Sequence, residues 1–265
     1  MDCYIGLNNP NDARKAAVKA LELDPSLGEV HAGLGFLTFF QDWDWRKAEV
    51  EFKRAIALNP NYAQARQWYA IYLAKMGRHE EAIYEARQAQ ILDPLSLPMS
   101  MTCGLVLCFA RQYDRAIEEL QKLIEMDANF AAGHSTLGLA YAHQKRCDEA
   151  IAEFRKASAL VGGSSEVESY IQALAAYSYA ASGRSEQARK FLNETANQPK
   201  APAYVRGMIL AQLGEYDLAM DCLERALDER TYQVLGMNVD PALDPLRSTP
   251  RFQSLLTRVG LVSAT

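Results

Sequence analysis

The chain has 265 residues, of which 49% are hydrophobic and 23% are charged, as in a folded globular protein and unlike a disordered one. Its formal net charge of −5 is modest and both signs alternate along the chain, which argues against the basic face of a nucleic-acid binder. The longest apolar run is too short to cross a bilayer, and the first residues do not form a signal peptide. We therefore expect a cytoplasmic protein without membrane or nucleic-acid partners.

The cysteines indicate a reducing compartment. They are scattered, odd in number and without a CxxC pair, so we expect them to serve as small hydrophobic residues. The five are Cys3, Cys103, Cys108, Cys147 and Cys222.

Similar short stretches return along the chain at an almost fixed interval. They are LELDPSLGEVH (21–31), ALNPNYAQA (57–65), ILDPLSLPMS (91–100) and EMDANFAAGH (125–134). Pro25, Pro60 and Pro94 are separated by 35 and 34 residues, and a further 34 residues lead to Ala128. A period of this size predicts one supersecondary unit that is repeated, with each stretch ending one unit and starting the next.

Within each unit the apolar spacing predicts two helices around a tight turn. In residues 129–160, Tyr141 follows helical spacing in the first half and Phe154 in the second. Small residues at Gly138 and Ala150 would let the two helices approach closely, with the aromatic side chains filling the seam.

Other local signals mark where the helices begin and end. Glycines at Gly77, Gly183 and Gly214 predict left-handed residues that stop the first helices. The pairs Ser26–Glu29 and Ser165–Glu168 have capping-box spacing, which predicts the start of first helices.

This pattern resembles the tetratricopeptide repeat, a 34-residue unit of two helices. The resemblance implies an all-α fold: a right-handed superhelix of about six to seven hairpins with a C-terminal capping helix. It divides the chain into a partial first repeat (1–26, a second helix), four regular units (27–161), two irregular units (162–230), and a loop with a capping helix (231–265). The matching positions are Leu34, Gly35, Ala48, Phe52, Ala55, Tyr69, Ala70, Leu73, Ala82, Ala89, Cys103, Gly104, Leu107, Ala116, Leu123, Ala176, Tyr179, Ala188, Leu192, Gly207, Leu210, Ala219, Leu223 and Ala226.

The chain departs from the strict repeat at three places. One residue is inserted in the turn FQDWDW (40–45), where we expect Trp43 and Trp45 to cover the turn and pack on the next hairpin. The register then slips after residue 161. At the end, Thr249 precedes Pro250 as an N-cap, and the following helix has one apolar face that suits a cap.

A narrower resemblance is carried by residues 40–83 and by the ending VDPALDPLRSTPRFQSLLTRVGL. Both look like the C-terminal repeat half of bacterial multidomain signalling proteins, in which a serine/threonine kinase, winged-helix regulator or cyclase domain lies upstream. The resemblance implies that this chain is the sensor or scaffold half of such a protein. Because a single repeat cannot bury its apolar face alone, the partial first repeat separately leads us to expect that the chain was cut from a longer protein, or that its first helix is supplied by something else.

No pattern in the sequence indicates catalysis. There is no phosphate-binding loop, dinucleotide-binding turn, HExxH or GxSxG. His31 and His134 occupy the same place in their repeats, which favours a packing role over a metal site. We therefore predict neither an enzyme nor a cofactor or metal site.

The candidate binding residues face the groove that first helices form in such a superhelix. Many are aromatic or methionine side chains, which suit an apolar peptide or helix, and we expect about half to be exposed. A cationic clamp for acidic peptide tails is missing, because Ala32, Phe36, Gln64, Trp68, Pro98 and Thr102 stand at its places. The candidates are Phe36, Phe40, Gln64, Gln67, Trp68, Ile71, Lys75, Met101, Leu105, Phe109, Leu139, His143, Tyr170, Tyr177, Tyr204 and Met208.

Two hypotheses of function follow from the sequence. The first is a non-catalytic interaction module that holds an apolar segment of a protein or peptide in the groove, including a domain upstream in its own parent chain. The second is self-assembly into a homo-oligomer, because Tyr4, Val18 and Leu21 of the partial first repeat lack a partner helix.

Overall fold

A computed structural model of the protein describes residues 10–162, 166–195 and 202–261. Over these ranges the chain forms fourteen α-helices and no β-strand. Two short 3-10 helices, Tyr232–Gly236 and Pro241–Leu246, precede the last α-helix. The α-helices are α1 (Pro10–Leu23), α2 (Gly28–Leu37), α3 (Trp45–Leu58), α4 (Ala63–Lys75), α5 (His79–Leu92), α6 (Leu97–Phe109), α7 (Tyr113–Met126), α8 (Ala131–His143), α9 (Cys147–Val161), α10 (Glu166–Ala181), α11 (Ser185–Glu194), α12 (Ala203–Gln212), α13 (Tyr216–Asp228) and α14 (Pro250–Val259).

From α2 to α13 the helices pair into six hairpins that stack into a right-handed superhelix. The first helices of neighbouring hairpins pack directly on one another and so form the inner, concave face. The apolar face of α14 is buried against the last hairpin through Phe252, Leu255, Leu256 and Val259. The predicted all-α superhelix with a C-terminal capping helix is therefore confirmed.

A glycine and a large side chain meet at the seam of three of the four regular hairpins, α2–α3, α6–α7 and α8–α9. A Cβ atom on Gly104 would lie 2.4 Å from Cγ of Leu120, and one on Gly138 would lie 2.8 Å from Cε1 of Phe154. Both large side chains are almost completely buried. The predicted close approach of the two helices is thus confirmed, and it depends on the absence of a side chain at the glycine.

The turns inside the hairpins use left-handed residues, as predicted at Gly77, Gly183 and Gly214, where φ is +77°, +80° and +78°. The remaining hairpins place a residue with a side chain in this conformation, which is strained by about 1–2 kcal/mol. These residues, which the sequence pattern did not reveal, include Trp43, Arg111 and Lys145.

The inserted residue of the first hairpin lies in a helix rather than in the turn. Residues Thr38–Asp42 form a π-helical turn at the end of α2, which takes up one extra residue without redirecting the chain. The sequence pattern, which predicted the insertion at 40–45, therefore placed it slightly too far along the chain. After residue 162 the units become uneven, since α10 has 16 residues and α11 has 10.

The capping box predicted at Ser26 is wrong. The Ser26 hydroxyl donates to Asp24 Oδ1 at 2.6 Å, and α2 begins at Gly28 without a side-chain cap. Glu29 instead accepts a hydrogen bond from Asn59 Nδ2 at 2.6 Å. The nearby Asp24 carboxylate thus takes the hydroxyl that a cap would need. Ser165, in the other predicted box, lies outside the described residues.

We expect Gly104→Ala to lower the free energy of unfolding by about 1–3 kcal/mol, because its methyl group would overlap Leu120. Gly33→Ala is the matched control: it lies in α2 with no atom near its Cβ position, so helix propensity should make it neutral or stabilising by up to about 1 kcal/mol. Urea denaturation followed by circular dichroism measures both. Equal stabilities for the two variants would contradict the close approach of α6 and α7 at Gly104.

Candidate functional site

The segment between α13 and α14 crosses the concave face and reaches the first hairpin. Arg230 donates to the carbonyl of Gln41 at 2.7 Å, and its guanidinium lies 4.3 Å from the Trp43 ring centre. Trp45 Nε1 donates to the carbonyl of Val259 at 3.2 Å. The two tryptophans therefore join the first hairpin to the C-terminal region, which the sequence did not predict, and their packing on the next hairpin stays a prediction. Trp43 also donates to the Phe40 carbonyl and so covers the turn as expected.

We call residues 230–247 the closing segment. Six of its apolar side chains are completely buried, so it is part of the core. These side chains are Val234, Leu235, Met237, Ala242, Leu243 and Leu246.

Polar contacts attach the closing segment to the middle and the end of the superhelix. Arg111 donates to both carboxylate oxygens of Asp244, at 2.6 and 2.7 Å. Gln212 donates to the carbonyl of Ala242 at 2.8 Å. Burial alone would raise the pKa of Asp244, but hydrogen bonds from Arg111 and Arg247 hold it below its ordinary value. The segment is thus bonded to hairpins on both sides of the concave face.

The closing segment converts the groove into a cavity of about 620 Å³. A second cavity of about 410 Å³ adjoins it and shares part of its wall, including Met101, Leu105, Leu139 and Tyr170. Residues Arg230, Tyr232, Gln233 and Asp240 of the closing segment line the larger cavity. Eleven of the predicted groove residues also line it: Phe40, Ile71, Lys75, Met101, Leu105, Phe109, Leu139, His143, Tyr170, Tyr204 and Met208.

The other five candidates lie outside the larger cavity. Phe36 and Trp68 pack together with ring centres 4.9 Å apart. Gln67, which is hydrogen-bonded to Gln64, donates to the Pro98 carbonyl at 3.0 Å and to Thr102 Oγ1 at 2.9 Å, linking α4 to α6. Tyr177 is 2% exposed and its hydroxyl lies 3.0 Å from His143 Nδ1.

None of the sixteen candidates is exposed. The expectation that about half would be exposed is wrong, because the closing segment and neighbouring hairpins cover them. Eight remain half-buried and are therefore within reach of a partner or ligand: Phe40, Gln64, Trp68, Leu105, Phe109, Leu139, His143 and Tyr170.

Lys75, at the end of α4, lines the cavity with a side chain that is 7% exposed. Burial lowers the pKa of Lys75 from its ordinary value of 10.5 to about 8, although the charge of Asp240 acts in the opposite direction. Burial also lowers the pKa of His143 on the facing wall. The cavity therefore disfavours positive charge.

Asp240 is the acid of the cavity wall. Its carboxylate accepts hydrogen bonds from the Tyr204 hydroxyl at 2.8 Å and from the Ala242 backbone N–H at 2.9 Å. Burial raises the pKa of Tyr204 well above its ordinary value and that of Tyr170 to about 12, so both remain neutral hydroxyls. The wall thus combines hydrocarbon and neutral hydroxyls with one acid, one ammonium and the Arg230 guanidinium.

His31 and His134 lie outside the cavity, in different hairpins, and each has a structural role. His31 Nδ1 lies 2.7 Å from Glu51 Oε2, and His134 Nδ1 lies 2.5 Å from Glu153 Oε2. Both rings are buried, and each Nε2 also faces a carbonyl of the preceding turn. They therefore tie first to second helices, as the packing interpretation predicted.

Two searches of the described ranges give further limits on the site. No group of three or more histidine, cysteine or acidic side chains there is arranged to hold a metal ion. Likewise, no helix in the described part of the chain is both long and apolar enough to span a membrane. Cys103, Cys108 and Cys147 are buried without a disulfide, whereas Cys3 lies outside the described residues.

The first helix has no buried residue. Val18 and Leu23 are 49% and 82% exposed, and Leu21 is half-buried. Tyr4 lies outside the described residues. An apolar strip of α1 is thus open to solvent.

The fold and its covered concave face define a solenoid of helical hairpins. Family models described as "Tetratricopeptide repeat" match residues 51–84, 104–165 and 203–231. The chain therefore contains tetratricopeptide repeats.

Curated relatives align with only part of this chain. Hsp70-Hsp90 organizing protein 2 of Arabidopsis thaliana is 30% identical over 123 residues, which are 46% of this chain and 21% of the relative. Type IV pilus assembly protein PilF of Pseudomonas aeruginosa is 27% identical over 128 residues, 48% of this chain and 50% of the relative. The chain thus aligns with about a fifth of the first relative's length and with half of the second relative's length.

Solved structures extend the similarity of fold to nearly the whole chain. A tetratricopeptide repeat protein from Parabacteroides merdae has a TM-score of 0.66 at 14% identity, covering 92% of this chain and 97% of that one. The APC/C hetero-tetramer Cut9-Hcn1 has a TM-score of 0.64 at 16% identity, covering 95% of this chain and 46% of that one. At such identities the similarity concerns the fold alone.

We expect Leu235→Ala to lower the free energy of unfolding by about 2–5 kcal/mol, because it leaves a cavity between the closing segment and the superhelix. Leu218→Ala, on the exposed side of α13 at 53% exposure, is the control and should change stability by less than about 0.5 kcal/mol. Urea denaturation measures both. An unchanged Leu235→Ala protein would mean that the closing segment is not part of the cooperative core.

Lys75 should make stability depend on pH. Between its folded pKa of about 8 and its ordinary value of 10.5, the unfolded chain binds a proton that the folded protein has released. Stability therefore rises with pH in this window, by about 1 kcal/mol from pH 7 to 9, and the cost of burying the ammonium is largest below pH 8. Lys75→Met should be more stable at pH 7 and lose this rise.

The test compares urea midpoints of wild type and Lys75→Met at the two pH values. Subtracting the pH dependence of one protein's stability from that of the other removes the contribution of the cysteines and tyrosines, which titrate in the same range in both. Parallel pH profiles would show that Lys75 is not a buried ammonium.

Proposed function

We propose that the protein is a non-catalytic scaffold for protein–protein interaction, which holds an apolar segment of a partner on its concave face. Tetratricopeptide repeats mediate protein–protein interactions, which supports the general role. The observation that carries the specific proposal is a row of half-buried apolar side chains along α4, α6 and α8, at Trp68, Leu105 and Leu139. Rigid aromatic and aliphatic groups in such a concavity are suitable anchors for a partner.

The space beside the closing segment limits the form of that partner. A cavity of about 620 Å³ accepts inserted side chains or a short extended segment. A whole helix has a diameter of about 10–12 Å and would require the closing segment to move. We therefore favour an extended apolar segment over an amphipathic helix as the bound form.

Binding of acidic peptide tails is not part of the proposal. The six positions that would form a cationic clamp have no basic residue, and Gln67 is hydrogen-bonded to three of them. The positions are Ala32, Phe36, Gln64, Trp68, Pro98 and Thr102.

The same proposal makes this chain the sensor or scaffold half of a larger signalling protein. It is supported by the sequence resemblance of residues 40–83 and of the C-terminal ending to such proteins. Under this hypothesis the bound segment belongs to an effector domain of the parent chain or to a second protein.

The test is affinity capture followed by mass spectrometry, with wild type beside Trp68→Ala/Leu139→Ala. Both residues are half-buried on the concave face, so the variant should lose at least 90% of a specific partner, as truncated anchors usually cost more than 1 kcal/mol each. Tyr84→Ala/Leu95→Ala removes similar side chains that are 58% and 82% exposed, and should retain the partner.

Three outcomes separate the hypotheses. A partner lost only from the concave variant, and then shown to bind directly by anisotropy, supports the scaffold. Identical profiles for all three proteins would sink the concave-face proposal. Light scattering on the same samples tests the alternative, in which copies associate through the exposed strip of α1; a monomeric mass at high concentration excludes it.

A further inference from the structure

Lys75 is the residue of the cavity wall whose position the fold does not explain. It is 7% exposed, and within the described ranges no acceptor forms a hydrogen bond or ion pair with its ammonium. Two rings lie near it, since Nζ is 5.6 Å from the ring centre of Phe109 and 6.0 Å from that of Tyr232. A buried ammonium without an acceptor is strongly unfavourable. An occupant of the cavity could supply the missing acceptor.

The closing segment leaves room at this ammonium. Gly236 lies against it, and a Cβ atom there would come within 3.2 Å of Nζ and 3.4 Å of Cγ. A side chain at this position would therefore crowd the ammonium. The glycine therefore keeps Nζ accessible from the cavity.

The other charged residues of this wall already have partners. Asp240 accepts hydrogen bonds from Tyr204 and from the Ala242 backbone N–H. Arg230 lies on the Trp43 ring and donates to the Gln41 carbonyl. Among the described lining residues, Lys75 is thus the charged group left available to a ligand.

We propose that the cavity is a binding site for a small apolar carboxylic acid. The carboxylate pairs with Lys75, and the hydrocarbon part lies against Ile71, Met101, Leu105, Leu139 and Met208. The volume of about 620 Å³ falls in the usual range of about 300–1,000 Å³ for small-molecule sites, which combine an apolar wall with a few polar groups.

A single carboxylate fits this wall better than a phosphate. A phosphate would carry a second negative charge next to Asp240, with no further cation of the wall available to it. An alcohol would leave the ammonium without a counter-charge. One negative charge on a hydrocarbon body satisfies both the ammonium and the apolar surface.

The inference goes beyond the proposed function, because it assigns a small molecule, in addition to a protein segment, to the cavity. The partner segment is expected at Trp68, outside the cavity wall, and at Leu105 and Leu139, which line it. Decanoate binding depends on Lys75, whereas the capture experiment changes Trp68 and Leu139, so either proposal can fail without the other.

The experiment titrates decanoate, decanol and decylamine into the intact chain by isothermal calorimetry at pH 7. The three probes share one hydrocarbon chain and differ in the head group. We expect decanoate to bind at least tenfold more tightly than decanol, as a hydrogen bond between charged groups contributes at least that factor. Decylamine, which would place a second cation beside Lys75, should not bind measurably.

Two variants identify the residue responsible. Lys75→Met should weaken decanoate binding at least tenfold and leave decanol binding within about twofold, since the hydrocarbon wall is retained. Asp240→Asn keeps an acceptor for Tyr204 but removes the nearby negative charge, so it should strengthen decanoate binding and leave decanol unchanged. Binding of decanol by either variant also shows that its cavity is intact.

Each other outcome overturns the inference. If decanol binds as tightly as decanoate, or if Lys75→Met binds decanoate like wild type, the cavity is apolar but does not select an acid through Lys75. If none of the three probes binds the wild type, the cavity is not a small-molecule site. The affinity-capture result is unaffected in all of these cases.

Discussion

The rest of the structure depends on the close approach of the two helices at the hairpin seam, where three of the four regular hairpins pack a large side chain on a glycine. Where Leu120 packs over Gly104, and Phe154 over Gly138, the two helices are close enough to exclude water from the seam. Such a hairpin still has apolar surface on its other sides, so it must stack on neighbours. Stacking at a fixed period brings the first helices together and places residues from hairpins far apart in sequence on one concave face.

The closing segment follows from the character of that face. Side chains such as Ile71, Met101 and Met208 would remain in contact with water if the groove were open. Burying them at roughly 25 cal/mol per Å² of apolar surface favours a cover, and the closing segment provides one, with Tyr232, Gly236 and Pro241 on the cavity wall. Side chains of the superhelix such as Arg111 and Gln212 bond to polar groups of this cover, whereas Asn238 Oδ1 is buried without a hydrogen-bond partner among the described residues. The cover is therefore specified by both hydrophobic burial and hydrogen bonding.

Much of the fold could be predicted because its signals are local and periodic. The prolines at 25, 60 and 94 and the small residues at the seam repeat at one interval, so each unit supports the assignment of the others. Positive φ at Arg111 and Lys145 was not predictable, because neighbouring contacts rather than residue type impose it. The π-helical turn was also missed, since an insertion in sequence does not show which element takes it up.

The candidate site was predictable only in part, for a related reason. Helical spacing correctly placed Ile71, Met101 and Tyr204 around one space. It could not show that the space is closed, because closure depends on contacts between residues very distant in sequence. Trp45 and Val259 are 214 positions apart, and Arg111 and Asp244 are 133 apart. The Asp-Pro pairs of the closing segment indicate turns but carry no information about where the segment packs.

Closure also links the two proposed activities of the concave face. The closing segment carries Tyr232, Gly236 and Asp240 next to Lys75, so the cost of burying the ammonium is present only while the segment is in place. An acid that binds the closed form removes this cost and stabilises that form by mass action. The extended partner segment proposed above fits beside the closing segment as well, and its anchors Leu105 and Leu139 also line the space that the acid would occupy. On these proposals the two ligands compete for one space in the closed form, and the free energy of their coupling is bounded by the differences in affinity between the free and the occupied cavity.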